Sequence, residues 1–425
     1  MSRKPFYPLL LLVVLMGVSS VSFNVHKVEA PYPIVYIEAE GSIDPPTANI
    51  TSPDNVTYAF TADINASIVV ERDNIVVDGA GYTVQGGGDG TGIDLSGRSN
   101  VTIKNMKIKT FSTGIYLYES SNNMISGNVI TDNGLLGVHL YLSSNNNTVS
   151  ANTITNNYRG IWLEVRTGIS SNNIISRNNI ENNSDGIMIY RSLGNIISEN
   201  KVTKNTDHSI YLDMSYDNRI YHNNFIDNGI PWYFYFSTNT WDAGYPLGGN
   251  YWSDYNGTDL FSGLHQNETG SDGVGDSPYI MPLDNKDKYP LIGMFLSFNT
   301  SRGYPVDVIC NSSIEDFEYF DSTIRLHVSN STANQTRGFC RLTILHDLLS
   351  PPYDVTIHGI PVNHTLLFEN DTLSLIYLNY THSTVEIVII PEFPSFLILL
   401  LLMVATLLAV IAHRKKNPMH ACNLN

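Results

Sequence analysis

Carboxylates and aromatic rings recur at matched places through the middle of this chain. Asp185 and Asp207 stand beside Arg159 and His208, and Glu164 and Asp213 close two segments of one kind. Two carboxyl groups held at a fixed separation can act as general acid and base, the pairing that cleaves glycosidic bonds. The aromatic residues fall into two series: Tyr116, His139, Trp162, Met188, Tyr211 and Tyr118, Tyr141, Glu164, Tyr190, Asp213. A flat aromatic surface edged with carboxylates suits sugar rings, whose C–H faces are apolar and whose hydroxyl groups need partners. Tyrosine also simply favours strands. The series therefore allow either a binding face, through Tyr116, Tyr118, His139, Tyr141, Trp162, Tyr190 and Tyr211, or a structural one.

These residues share a geometry only if the chain repeats, and it does. Asn100, Asn123, Asn147, Asn173, Asn195 and Asn218 mark a period of about 23 residues. A second series, Asn105, Asn128, Asn152, Asn178, Asn200 and Asn223, follows each start, and a third, Asn133, Asn157, Asn183, Asn205 and Asn228, follows most of them. Each unit ends on a small residue and an apolar–x–apolar pair: GIYL from Gly114, GVHL from Gly137, GIWL from Gly160, GIMI from Gly186 and SIYL from Ser209. Alternating β-branched residues punctuated by Asn, Gly and Ser are short strands with turns. The pattern predicts a parallel β-helix. Ile115 and Leu117, Val138 and Leu140, Ile161 and Leu163, Ile187 and Ile189, Ile210 and Leu212 point inward, and the two aromatic series point outward. Stacked asparagines form amide ladders that satisfy the turn backbone. At a rung spacing of about 4.8 Å, Glu164 and Asp213 come about 9.6 Å apart, near the upper limit for an inverting pair.

The chain has 425 residues and a net charge of −16, which argues against a nucleic-acid partner. Arg3 and Lys4 followed by the apolar run Leu9–Val18 predict a signal peptide within 1–30. At the other end the apolar run Phe396–Ala412, followed by His413–Lys416, predicts a membrane anchor over 393–413 and a cytoplasmic tail over 414–425. The sequence divides the rest into a cap at 31–70, repeats at 71–230, an aromatic-rich cap region at 231–290 and a small β-sandwich at 291–390. The fold class is thus all-β: β-helix, sandwich, one terminal transmembrane helix. N-x-Ser/Thr sequons run from Asn49 to Asn379, densest after Tyr255, as on a glycosylated exterior. Cys310 and Cys340 can form one bridge, worth about 3 to 4 kcal/mol.

Three segments carry a family resemblance: Ile68–Gly86 (IVVERDNIVVDGAGYTVQG), the repeated NNxI/GIxL rungs, and GGNYWSDY from Gly248 followed by DGVGDSPYI from Asp272. Together they resemble the NosD-like right-handed parallel β-helix family, whose broader relatives bind or hydrolyse carbohydrate. PEFPSFLILLLL from Pro391 with its HRKK end resembles the PEF-type anchor of archaeal surface proteins. The family resemblance also implies a Ca²⁺ loop at Glu268, Asp272 and Asp276. The family's name implies copper, for which His139, Met188, His208 and His222 are scattered candidates. The aspartate and Gly-His-Gly motifs of β-helix polygalacturonases are missing, as is the Asp-Pro-His pattern of β-helix uronate epimerases. The sequence thus predicts an anchored cell-surface protein that binds polysaccharide or glycan. Its alternatives are a glycan-cleaving or glycan-modifying enzyme, a structural surface-layer module, and a copper-handling protein.

Overall fold

The computed structural model describes residues 33–166, 171–381, 384–392 and 395–416, with side chains of the last segment described at 403–413. The predicted signal peptide, Cys422 and the tail from 417 onward lie outside the described residues.

Parallel pairing runs through three long sheets of ten, nine and eight strands. One sheet carries the GIxL strands: Thr113–Tyr118, Leu136–Tyr141, Arg159–Glu164, Asp185–Tyr190, His208–Asp213 and Ile230–Tyr235. Each pairs in parallel with the next, so equivalent positions of successive rungs stack. Ile115, Val138, Ile161, Ile187 and Ile210 form one fully buried inward column, and Leu117, Leu140, Leu163, Ile189 and Leu212 a second. The small residue ahead of each pair is required by this stacking. A Cβ at Gly160 would lie 2.6 Å from the Gly186 carbonyl oxygen and 2.9 Å from Ile180.

The asparagines form the predicted ladders at three corners. Asn123, Asn147, Asn173, Asn195 and Asn218 each donate from Nδ2 to the Oδ1 of the next, at 2.8 to 3.2 Å. The second ladder runs from Asn128 through Asn152, Asn178, Asn200 and Asn223 to Asn250, the third from Asn133 through Asn157, Asn183 and Asn205 to Asn228. Asn100 and Asn105 do not belong to them. Thr102 pairs with Met124 and Lys107 with Val129, so Val101 and Met106 occupy the inward ladder positions. Asn100 and Asn105 stand one place earlier with positive φ, on the outside of the turns. The first ladder asparagines still bond that rung: Asn123 Oδ1 accepts from Val101 N and Asn128 Oδ1 from Met106 N.

The solenoid also runs past the repeat boundary at 230. Ile230–Tyr235 adds a rung to the GIxL sheet, and Tyr251–Trp252 adds one to another sheet. In the last GIxL rung Trp232 and Phe234 take the two inward positions. The ladders end on a built cap. Asn285 Oδ1 accepts from Asn239 N and Trp241 Nε1, both at 2.9 Å. Asp287 Oδ2 accepts from Asn250 N at 2.7 Å and from Trp252 Nε1 at 3.1 Å. At the opposite end the short strands Ile43–Asp44 and Ile50–Thr51 pair antiparallel and close the exposed sheet edges.

Beyond 292 the chain forms two five-stranded antiparallel sheets. They share one core, including Val308, Leu342 and Ile376 from one sheet and Leu326, Val355 and Ile387 from the other. Cys310 and Cys340 are direct cross-strand partners. Both thiols are buried, with the Sγ atoms 2.6 Å apart. Asn224 joins solenoid to sandwich by exchanging two 2.8 Å bonds with the Phe295 backbone. The C-terminal segment Ser395–Lys416 is helical. Among the described residues no helix is long and apolar enough to cross a membrane.

Candidate functional site

The outward face of the GIxL sheet presents three columns set by the pairing register. One is Tyr116, His139, Trp162, Met188, Tyr211, Tyr233. The next is Tyr118, Tyr141, Glu164, Tyr190, Asp213, Tyr235. Both are as the alternation predicts, and each gains a tyrosine from the extra rung. An offset of 22 residues from His208 to Ile230 would have found that rung. The third column lies one alternation earlier and holds Arg159, Asp185 and His208. Arg159 pairs with Asp185 in the register, and Asp185 lies between an ion-pair neighbour, Arg159, and a hydrogen-bonded one, His208.

The rings touch along the columns. Tyr116 lies 5.3 Å from His139, which stacks on Trp162 at 4.8 Å and an interplanar angle of 8°. Tyr211 stacks on Tyr233 at 4.5 Å. His139 and Met188 are nearly covered by their neighbours. Burial pushes the His139 imidazole down to about 4 and the Tyr116 phenol up to about 12.

Polar side chains gather in two groups on this face. In the first, Glu164 is buried; its Oε2 lies 3.2 Å from His139 Nε2 and its Oε1 accepts from Arg166 Nε at 2.6 Å. Around it a cleft of about 420 Å³ is lined by Arg159, Trp162, Glu164, Arg166, Tyr190 and Arg191. Trp162 lines this cleft, and its indole N–H is buried without a hydrogen-bond partner. In the second group, buried Asp185 bonds His208 Nδ1 through Oδ1 at 2.8 Å and lies 3.7 Å from Arg159 Nε through Oδ2. Asp207 Oδ1 is 3.4 Å from the same His208 nitrogen. Tyr211 and Tyr233 meet the His208 ring edge-on. Arg159 joins the groups, since its guanidinium lies over Trp162 at 4.4 Å.

These contacts revise the candidate carboxylates. Glu164 and Asp213 are two rungs apart as expected, but Tyr190 separates them. Glu164 is engaged by His139 and Arg166 and is no free acid. Asp213 has one buried, unpartnered oxygen, and burial pushes its pKa up. Asp185 and Asp207 do come together, not as an acid–base pair but on a shared histidine. The loop carboxylates do not converge. Asp276 accepts from Leu260 N, Phe261 N and Thr258 Oγ1, while buried Asp272 accepts from Gln266 Nε2 and Val274 N. Glu268 is exposed in a separate short strand. Asp259, which the sequence did not single out, closes this loop by accepting from Asp272 N and Gly273 N, and burial pushes it up to about 7. Backbone N–H groups thus hold oxygens that a Ca²⁺ ion would need.

Among the described residues one group of His, Cys, Asp and Glu brings three ligand atoms within 4.8 Å of one another: Asp185, Asp207 and His208. The sequence also missed Arg166 and Arg191, which follow the outward columns in positions the repeat does not mark.

Residues 47–257 match the family model described as periplasmic copper-binding protein (NosD). Over these residues, just under half of the chain, the solenoid is similar to the NosD-family right-handed β-helix. Comparison with curated proteins finds no match. Among solved structures, a double mutant of the periplasmic alginate epimerase AlgG is 19% identical at a TM-score of 0.32, over 44% of this chain and 52% of that one. The enzymatically active domain of bacteriophage CBA120 tailspike protein 2 is 11% identical at a TM-score of 0.36, over 76% of this chain and 62% of that one. An alginate lyase from Paenibacillus is 15% identical at a TM-score of 0.25, over 46% and 88%. The chain spans about half the epimerase's length. These likenesses concern the fold alone.

The copper of the family's description does not fit the donors of this solenoid. His139 and Met188 are two rungs apart with Trp162 between them. The one convergent group offers two carboxylates and one imidazole, with a guanidinium 3.7 Å from Asp185. Copper sites gather soft or imidazole ligands, and a fixed cation beside a ligand opposes metal binding.

Proposed function

We propose that the protein is an anchored cell-surface protein that binds polysaccharide along the outward face of the GIxL sheet. The observation that carries this reading is the continuity of the aromatic columns. Six rungs in unbroken register give a flat strip about 24 Å long at the rung spacing of parallel sheets, long enough for several sugar units. Rings present apolar faces to sugar C–H groups, while Tyr hydroxyls, Asp213 and the arginines supply hydrogen-bond partners at the edges. Support for the anchor is the apolar run Phe396–Ala412 within the helix Ser395–Lys416, with its basic end. Resistance of the membrane-bound protein to alkaline extraction tests that part.

A second reading, a glycan-modifying enzyme, is favoured by one observation. Asp185 engages His208 Nδ1, which orients the ring and leaves Nε2 as the available base or acid. A panel of polysaccharides bound to the purified protein, followed by analysis of the recovered glycan, separates the readings. Binding with the glycan returned intact supports the first. New reducing ends or unsaturated products support the second. No binding to any member overturns both and leaves a structural module.

A further inference from the structure

Three guanidinium groups converge on one cleft of a chain whose net charge is −16. Arg159, Arg166 and Arg191 line it with a single lining carboxylate, Glu164. Each guanidinium lies near an aromatic ring. Arg159 Cζ is 4.4 Å from the centre of Trp162, Arg191 Cζ 5.1 Å from Tyr190, and Arg166 Cζ 6.0 Å from Tyr141. Stacking holds the plane of a guanidinium by its face and leaves its N–H edge to form paired bonds with an anion. Two of the three are further fixed, Arg166 by Glu164 at 2.6 Å and Arg159 by Asp185 at 3.7 Å. Arg191 has no ion-pair partner among the described residues and is exposed.

The second observation is the Trp162 indole. Its ring lines the cleft and packs beneath Arg159, whose Cζ lies 4.4 Å from the ring centre, giving the charged rim an apolar floor. The charged lining of the cleft is therefore mostly donor-only: three guanidiniums against one carboxylate that Arg166 already engages. Neutral sugars, whose hydroxyl groups both donate and accept, have no need of so one-sided a set. A carboxylate or sulfate oxygen accepts only and matches it.

Resting on the polysaccharide reading above, we propose that this cleft is the subsite for an anionic sugar, whose carboxylate or sulfate group is held by Arg166 and Arg191. The aromatic columns on either side would carry the neighbouring units of the chain.

The test is binding of the purified protein to a polyuronate, a sulfated glycan and a neutral glucan, each at low and high ionic strength. Anionic glycan should bind about tenfold or more tightly than neutral, as charge-assisted bonds imply, and the difference should shrink with salt. The polyuronate and sulfated arms identify which anion is recognised. Arg191→Gln alters an exposed side chain with no ion-pair partner and should reduce the anionic preference with unchanged thermal melting; Arg166→Gln should reduce it too, with a lower melting temperature because buried Glu164 loses its 2.6 Å partner. Arg191→Lys, which retains charge but loses the planar fork, should retain part of it. Equal binding of all three glycans, unaltered in the glutamine variants, would overturn the subsite and leave polysaccharide binding intact. Failure of every glycan to bind would overturn both.

Discussion

The corners of the solenoid and its GIxL face use the same repeat in opposite ways. At the corners one residue type recurs in register, and each asparagine gives and receives within the ladder. Asn178, for example, donates to Val149 O and Asn200 Oδ1 and accepts from Asn152 N and Nδ2. No hydrogen-bonding capacity there is left to meet a ligand. On the face, one column reads Tyr116, His139, Trp162, Met188, Tyr211, Tyr233. Side-chain identity changes at every step but the last, and polar atoms such as Trp162 Nε1 and Asp213 Oδ1 remain without partners. Uniform columns build a solenoid, because identical neighbours satisfy one another. A varied column does little for the solenoid and is where recognition can reside.

The largest effect should come from breaking a ladder. Asn178→Ala leaves several buried groups unsatisfied at about 1 to 3 kcal/mol each, so the unfolding free energy should fall by about 4 kcal/mol in urea denaturation. If the loss is below about 1 kcal/mol, the ladders are not the source of corner stability. Next comes the inward column. Leu163→Ala opens a cavity in a fully buried stack and should lose about 2 to 5 kcal/mol.

Its outward neighbour should behave differently. Trp162→Ala removes stacking on His139 and Arg159 but little core volume. Stability should fall by about 1 kcal/mol, while polysaccharide affinity falls by about tenfold or more. Should Trp162→Ala match Leu163→Ala in stability and leave binding intact, the varied column is architecture after all.

A smaller effect concerns pH. Burial holds His139 at about 4, below its ordinary value of 6.5. The unfolded chain therefore takes up the proton first. The contribution of His139 is fully present above about pH 6.5 and is lost as pH falls toward 4. Buried Asp287, raised to about 7, acts in the opposite sense: its contribution is full below the usual carboxylate range and is lost as pH rises through 7. Comparing His139→Phe with the parent protein isolates the first, and the variant should lose less stability between pH 7 and 4. The smallest expected change is in a titration. Glu164 favours the protonated His139 ring, so Glu164→Gln should move its NMR titration still lower. A shift upward would mean that the contact between them is not made.

Much of this was legible in the chain. Alternation alone placed Ile161 and Leu163 inside and Trp162 outside, because a strand has only two faces. The ladders from Asn123 onward followed from spacing. Spacing failed at Asn100 and Asn105, which match the period by number yet stand one place off the register. Turns between rungs vary by several residues, and pairing, not counting, decides which residue faces inward. The last rung was hidden because Trp232 and Phe234 replace the aliphatic pair.

The sequence by itself determined the repeat, the two faces of each strand and therefore the membership of each column, since these depend only on strand periodicity and rung pairing. Only the tertiary structure decided what the members do to one another. Glu164 looked like a free carboxylate and became buried between His139 and Arg166. Asp185 and Asp207 looked like an acid–base pair and met at His208. Arg166 and Arg191 lie beyond the repeating positions, and turn paths bring them over the face. Contacts between rungs depend on side-chain reach and on turns that break the period, which no spacing along the chain records.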